Sequence, residues 1–292
     1  MKSQQKVLIT GATSGLGLEF AQLAHDAGWQ LLLTGRNAKA LDELQGKYAS
    51  AKTHMADLST DEGLASLLSW ITNQPLDALI NNAGFGLGRD IVVSKQSVLD
   101  DMLAVNIKAL VTLSRTAAIG MIKRGTGRIL NVASTAAFMP GPHLATYYAS
   151  KAFVLSFSEA MHHELKGSGV TCTTLCPGPT KTEFFARAKM EGVQLEKGGL
   201  ISMMSAKSVA KAGWRSMLAG RRRVIPGLMN ALAPRLARLL PRNWQLAVVG
   251  ALQQSKQSWR HAFSYCTINE TNKAVFSGSL VGCKDMRFGQ RL

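Results

Sequence analysis

Short, almost unbroken aliphatic runs alternate along this chain with longer stretches in which apolar residues recur every three or four positions. KVLIT (Lys6 to Thr10), QLLLT (Gln30 to Thr34), Leu76 to Ile80, Arg128 to Ala133 and Val170 to Leu175 are runs of this first kind. Runs without polar alternation suit strands buried on both faces. The more polar Lys52 to Ala56 also reads as a strand, and Arg222 to Ile225 as a last one, ending at Pro226–Gly227. Helices are predicted from the glycine turn after Thr10 to about Gly28, over about Ala38 to Tyr48, and from beyond Leu58 to about Asn73. Two more are predicted over about Ser97 to Lys123 and up to Lys166. Strand ends at 10, 34, 56, 80, 133 and 175 are each followed by a turn and a helix start. Such alternation predicts an α/β fold, a doubly wound parallel sheet in which ligands bind at the carboxyl ends of the strands.

Those strand ends carry the chemistry. TGATSGLGLEF follows the first strand, with Gly11, Gly15 and Gly17 running through a turn into a helix. Glycines permit close backbone approach, and a helix N-terminus offers free amides to a phosphate. The spacing G-x-x-x-G-x-G departs from the G-x-G-x-x-G dinucleotide fingerprint. After the second strand comes Gly35-Arg36-Asn37, where dinucleotide folds place either an acid for a ribose or an arginine for a 2′-phosphate. Arg36 has no acid beside it in sequence. Charge-assisted hydrogen bonds contribute about 1.5–3 kcal/mol each, so the phosphorylated cofactor, NADP, is expected.

The stretch Asn131 to Lys151, NVASTAAFMPGPHLATYYASK, leaves Ser134 at a strand end and then enters a helix carrying Tyr147 and Lys151. Residues four apart on a helix share a face, so phenol and ammonium converge, and the intervening loop can fold the Ser134 hydroxyl back to them. A Tyr-x-x-x-Lys pair alone also describes an ordinary surface pair. Asn106 lies in the apolar setting MLAVNIKALV and needs partners if buried. It is either a structural crosslink or part of a site.

Together these motifs resemble the short-chain dehydrogenase/reductase family. TGATSGLG at 10–17, NNAG at 81–84, Asn106, Ser134, YYASK at 147–151 and PGPTKT at 177–182 follow the family's order, over roughly residues 6 to 228. The resemblance implies a Rossmann-like single domain that transfers a hydride between NADP(H) and a carbonyl or secondary alcohol. It places Gly11, Ser14, Gly15 and Gly17 on the pyrophosphate, Arg36 on the 2′-phosphate, and Asp57 and Leu58 on the adenine. Asn82 and Gly84 would support the strand end beside the cofactor, with Pro177, Gly178 and Thr180 near the carboxamide. Tyr147 becomes the general acid, Ser134 binds the substrate oxygen, and Asn106 completes a relay through water. Lys151 holds the nicotinamide ribose and lowers the tyrosine pKa. Tyr148 falls one helical position off the active face. A phenol titrates near 10, and moving it close to 7 takes about 4 kcal/mol. One cation about 4 Å away at an effective dielectric of about 20 supplies that order of energy. A homo-oligomer, dimer or tetramer, is also expected. The alternative is a cofactor-binding sensor that keeps the fold without turnover.

Composition refines this picture. Its 292 residues are long enough for one large domain with a sizeable core, and no apolar run reaches the roughly 18–20 residues of a membrane span. MKSQQKVLIT leads straight into a glycine turn and does not read as a secretory signal, so cytoplasm is the expected compartment. Cys172 and Cys176 are four residues apart in an extended segment, too far to bridge, and no metal site is expected. The net charge of +16 is concentrated: Lys197 to Asn269 holds twelve lysines and arginines and no acid. That segment lacks a nucleic-acid motif, and no nucleic-acid partner is expected.

An apolar segment over Lys181 to Ala206, with Phe184, Phe185, Met190, Leu195, Leu200, Ile201, Met203 and Met204, suits a lid over the site. It points to an apolar or lipid-like substrate, or it merely packs down. Beyond it, the chain divides into a catalytic part (1–228), a basic helical extension (229–263) and a loosely ordered tail (264–292). In the extension Leu232, Leu236, Leu239 and Leu240 share one arc, flanked by Arg235, Arg238 and Arg242. Pro234 and Pro241 divide it into two short helices, and Trp244 and Trp259 bracket the second. The extension either docks peripherally on an anionic membrane or packs within the protein.

Overall fold

The computed structural model describes residues 4–182, 184, 188, 203–237 and 241–253. Its centre is a parallel sheet of seven strands: β1 (Lys6–Thr10), β2 (Gln30–Gly35), β3 (Ala51–Met55), β4 (Ala78–Asn81), β5 (Gly127–Val132), β6 (Val170–Leu175) and β9 (Arg223–Val224). They lie in the order β3-β2-β1-β4-β5-β6-β9. The order reverses between β1 and β4, and the doubly wound expectation holds. Two short strands, β7 (Thr180–Lys181) and β8 (Met204–Ser205), pair separately.

Side chains of each aliphatic run divide between the two faces. Val7, Ile9, Leu31 and Leu33 pack with Phe20, Leu41, Trp214 and Met217 under α1 (Gly15–Asp26), α2 (Ala38–Lys47) and α7 (Ala206–Leu218). Leu8, Leu32, Leu79 and Ile129 face α3 (Asp61–Ile71), α5 (Leu110–Arg124) and α6 (Ala145–Glu164) through Leu67, Leu113 and Met161. Each fully buried Leu or Ile contributes about 1.5–3 kcal/mol, so both layers are held mainly by apolar contact. Cys172 and Cys176 are free and buried, as expected, and burial pushes both thiols up to about 12.

Beneath the sheet's carboxyl end sits a chain of buried polar groups. Asn81 Nδ2 donates to Ser114 Oγ and to Asn131 Oδ1, each at 2.9 Å. Asn131 Nδ2 in turn donates to Ser158 Oγ at 2.9 Å, and Asn81 and Asn131 stand opposite each other on β4 and β5.

Three elements depart from the sequence expectation. β4 begins at Ala78 rather than Leu76; just before it, Asp77 donates its N–H to Lys6 O and accepts Lys6 N on its carboxylate and Arg128 N on its carbonyl. The helix expected over Ser97 to Lys123 is α4 (Gln96–Leu103), a π-helical turn (Ala104–Ala109) and α5, with Asn106 in the widened turn. This continuous stretch, Gln96–Arg124, is apolar and long enough to cross a membrane by composition, but half of its most apolar window is buried against the sheet. It is a core helix.

Third, the two expected short helices are present as α8 (Leu228–Ala237) and α9 (Arg242–Gln253), but Pro234 lies inside α8 while Pro241 immediately precedes α9. α8 and α9 belong to the same compact unit as the sheet. Phe185, Met190, Leu195, Leu200, Ile201, Arg238, Leu239, Leu240, Trp259 and all of 264–292 lie outside the described residues.

Candidate active site

A cleft of about 1140 Å³ opens over the point where the strand order reverses. The residues expected to act in catalysis or to bind the cofactor all line it except Gly17 and Asn106. In one half the chain makes a cradle for a negatively charged group. Gly11 (φ +62°) and Gly15 (φ +53°) have left-handed backbone, which a side chain would strain. A Cβ on Gly17 would stand 2.1 Å from the Gly11 carbonyl oxygen, so only glycine fits there. Ser14 precedes α1 with a hydroxyl that makes no capping bond, so no side-chain cap occupies the amides of Gly15 and Leu16, which line the cleft. Asn82 closes the back of the cradle: Nδ2 donates to the carbonyls of Thr10 (2.9 Å) and Gly11 (3.0 Å). The backbone N–H groups of Asn82 and Ala83 donate to Thr10 Oγ1, at 3.1 and 3.0 Å.

At the far end of this half, Arg36 is largely exposed and lies 3.8 Å from Asp57. Sequence places no acid beside Arg36; the adjacency of β2 and β3 supplies one. Burial works to raise the Asp57 pKa. The backbone N–H and hydroxyl of Ser59, with the Arg36 guanidinium, outweigh it and hold the carboxyl below its ordinary value. With Gly11, Gly15 and Gly17 in the turn, an uncapped Ser14 and the start of α1 lining the cleft, these residues fit the pyrophosphate of a dinucleotide.

The other half gathers the titratable groups. β5 ends at Val132, and the extended Ser134 caps a 3₁₀ turn, its Oγ accepting from Ala136 N at 3.1 Å. α6 then brings Tyr147 and Lys151 to the same wall. Lys151 is 5% exposed, and its Nζ donates to the Val132 carbonyl at 2.9 Å, 5.8 Å from the Tyr147 ring centroid. Burial pushes Tyr147 up to about 12, opposed by hydrogen bonding with Ser134. Burial likewise lowers Lys151 to about 8, opposed by the Cys176 thiol. The expectation that Lys151 lowers the tyrosine pKa is therefore not met in this arrangement: the ammonium is committed to a backbone carbonyl, and desolvation dominates both groups.

Asn106 stands behind this wall as a crosslink. Nδ2 donates to Phe85 O and Ser150 Oγ, each at 3.0 Å, and Oδ1 accepts from Phe85 N at 3.1 Å. The loop after β4 is thereby tied to α6 close to Tyr147. Gly84 completes the fit, since a Cβ there would lie 3.0 Å from Asn106 Oδ1 and 3.2 Å from Lys151 Nζ. Across the cleft Thr180 Oγ1 donates to Gly178 O at 2.9 Å, and Thr135 N donates to Pro177 O at 2.8 Å.

Several lining residues escaped the sequence reading. Tyr148 belongs to the cleft with Tyr147, the two rings edge to face at 6.1 Å, and its hydroxyl accepts from Gln253 Nε2 of α9. Asn230, Val249 and Gln253, from α8 and α9, line the cleft too. Phe184, foreseen as part of a lid, packs 5.3 Å from the Tyr147 ring. No local signal marks Gln253, which is brought to Tyr148 across 105 residues of sequence.

Residues 5–191 match the family model described as short chain dehydrogenase. The chain is similar to sulfoacetaldehyde reductase 2 of Chromohalobacter salexigens, 36% identical over 61% of this chain and 73% of that one. It is also similar to a 3-oxoacyl-(acyl-carrier-protein) reductase of Rickettsia prowazekii, 32% identical over 60% of this chain and 73% of its relative. Among solved structures, a short-chain dehydrogenase from Sphingobium yanoikuyae in complex with NADPH superposes with a TM-score of 0.71. It is 28% identical, covering 80% of this chain and 94% of that chain.

Proposed function

The chain belongs to the short-chain dehydrogenase/reductase family, oxidoreductases that act between CH–OH and C=O groups with a nicotinamide cofactor, and from that premise we propose an NADPH-dependent reductase of apolar ketones or its reverse. The observation that carries the proposal is the convergence of Ser134, Tyr147 and Lys151 on one wall of a cleft whose other half is a phosphate cradle ending at Arg36. When bound, the cofactor supplies or accepts the hydride at the substrate carbon.

The chain's own residues do the rest. Gly11, Ser14 and Gly15 would hold the pyrophosphate, and Arg36 the 2′-phosphate, giving up its contact with Asp57. Ser134 Oγ orients the substrate oxygen, and Tyr147 Oη delivers the proton to it. Lys151 would hold the nicotinamide ribose and, as an ammonium, would favour the phenolate left on Tyr147. Met139, Leu144, Tyr148, Phe184 and Val249 line the cleft as well, and this largely apolar wall favours a carbonyl carried on a hydrophobic body. The relative named as an acyl-chain reductase agrees with that reading.

The test is a panel of ketones and secondary alcohols of graded hydrophobicity, followed by nicotinamide absorbance with NADPH and with NADH. We expect turnover with NADPH, favouring the bulkier apolar compounds. Absence of turnover across the panel, with cofactor binding intact, would instead support the sensor reading.

A further inference from the structure

Helices α8 and α9 are amphipathic in an inverted sense. Among the described side chains of α8 the buried one is polar, Asn230 at 5% exposure, while Leu228 (84%), Met229 (56%), Leu232 (41%) and Leu236 (54%) lie outward. Positions 228, 232 and 236 follow a four-residue spacing, so they form one stripe. On α9, Gln245, Val249 and Gln253 turn inward at that spacing, and Trp244 (65%) and Val248 (50%) turn outward. Asn230, Val249 and Gln253 reach the cleft, so the apolar stripes point away from it. Leaving leucine and tryptophan in water over two successive helices is costly.

We propose that this face docks on an anionic lipid surface. Arg242, exposed at the start of α9, adjoins Trp244, and residues 228–253 carry Arg235, Arg238 and Arg242 without one acid. Apolar stripes beside basic side chains and an exposed tryptophan match the boundary between headgroups and acyl chains. Charge disfavours the other occupants. A second copy would bring an equally basic face, and residues 257–292 carry five basic residues against two acidic ones. The inference is independent of the reaction assigned to the cleft.

Full-length protein would be sedimented with phosphatidylcholine vesicles containing or lacking phosphatidylglycerol, at low and high salt. Binding is expected with the anionic vesicles alone and should weaken with salt. Each immersed leucine is worth on the order of tenfold in partitioning, so Leu232→Ser/Leu236→Ser and Trp244→Ser should each lower it by about tenfold or more. Because these side chains are exposed, the melting temperature and cofactor binding should stay as in the parent. Absent binding, binding equal on neutral vesicles, or binding unaffected by the substitutions overturns the proposal. So does a change in elution volume on gel filtration, which would identify a second copy as the occupant.

Discussion

Lys151 gives its ammonium to the carbonyl oxygen of Val132, 2.9 Å away, and not to the Tyr147 phenol one helical turn before it. Both side chains belong to the same wall, yet burial drives each toward its neutral form, Lys151 to about 8 and Tyr147 to about 12.

Stability should record this. Between about 8 and 10.5 the unfolded chain keeps the Lys151 proton that the native state has shed, so native stability from this group rises with pH over that window. Tyr147 acts oppositely between 10 and about 12, where only the unfolded phenol ionises. Guanidinium unfolding of the parent and of Lys151→Met from about pH 7 to about pH 10 isolates the lysine. The parent should gain on the variant by about 1–3 kcal/mol. A flat difference would mean that the lysine is not desolvated.

Tyr147→Phe removes the hydroxyl and little else. We expect turnover to fall by about 10²–10⁴, with NADPH affinity within about twofold of the parent by fluorescence titration. Comparable loss of cofactor binding would show that the hydroxyl holds the cofactor and does not serve only as the proton donor.

Arg36→Asp replaces the phosphate partner with a second acid beside Asp57. NADPH binding should weaken by about tenfold or more while NADH is less affected, read as the ratio of the two dissociation constants. An unchanged ratio would place recognition of the 2′-phosphate elsewhere.

Asn106→Ala leaves the N–H and carbonyl of Phe85 without their side-chain partner and takes one of two hydrogen bonds from the Ser150 hydroxyl, which keeps its bond to the Tyr147 carbonyl. A loss of about 2–4 kcal/mol in urea unfolding is expected, against about 1 kcal/mol for Ser150→Ala. Should Asn106→Ala fold with parental stability but lack turnover, the residue would be serving the reaction directly and not as a crosslink.

Gly17→Ala meets backbone, with its new carbon 2.1 Å from the Gly11 oxygen. Cofactor binding and melting temperature should both drop sharply. Gly46→Ala in α2, with nothing within 4 Å, should raise stability by about 0.5–1 kcal/mol, which makes it the matched control.

The aliphatic strands were legible because a parallel sheet covered on both faces leaves no room for polar alternation, and β1, β5 and β6 come within a residue of their expected ends. Ser134, Tyr147 and Lys151 were legible because one strand end and one helix turn hold them. The π-helical turn was not, since it accompanies a cross-chain fit of Asn106 to Phe85 and Ser150 that no local pattern encodes. For the same reason Asp57 was not foreseen as the partner of Arg36, nor Gln253 as the partner of Tyr148. Proximity across the sheet decided each.

The paired asparagines under the sheet have a consequence for how the site finds its place. Strands made only of valine, leucine and isoleucine, buried on both sides, gain nearly the same burial if one slides past its neighbour. Asn81 and Asn131 remove that freedom, for they meet only when Ala78 stands beside Arg128 and Ile80 beside Leu130. A slip would leave two amides in hydrocarbon, at about 1–3 kcal/mol each. The greasy strands thus carry a polar index mark, and by fixing where β5 stops it also fixes where Ser134 meets Tyr147.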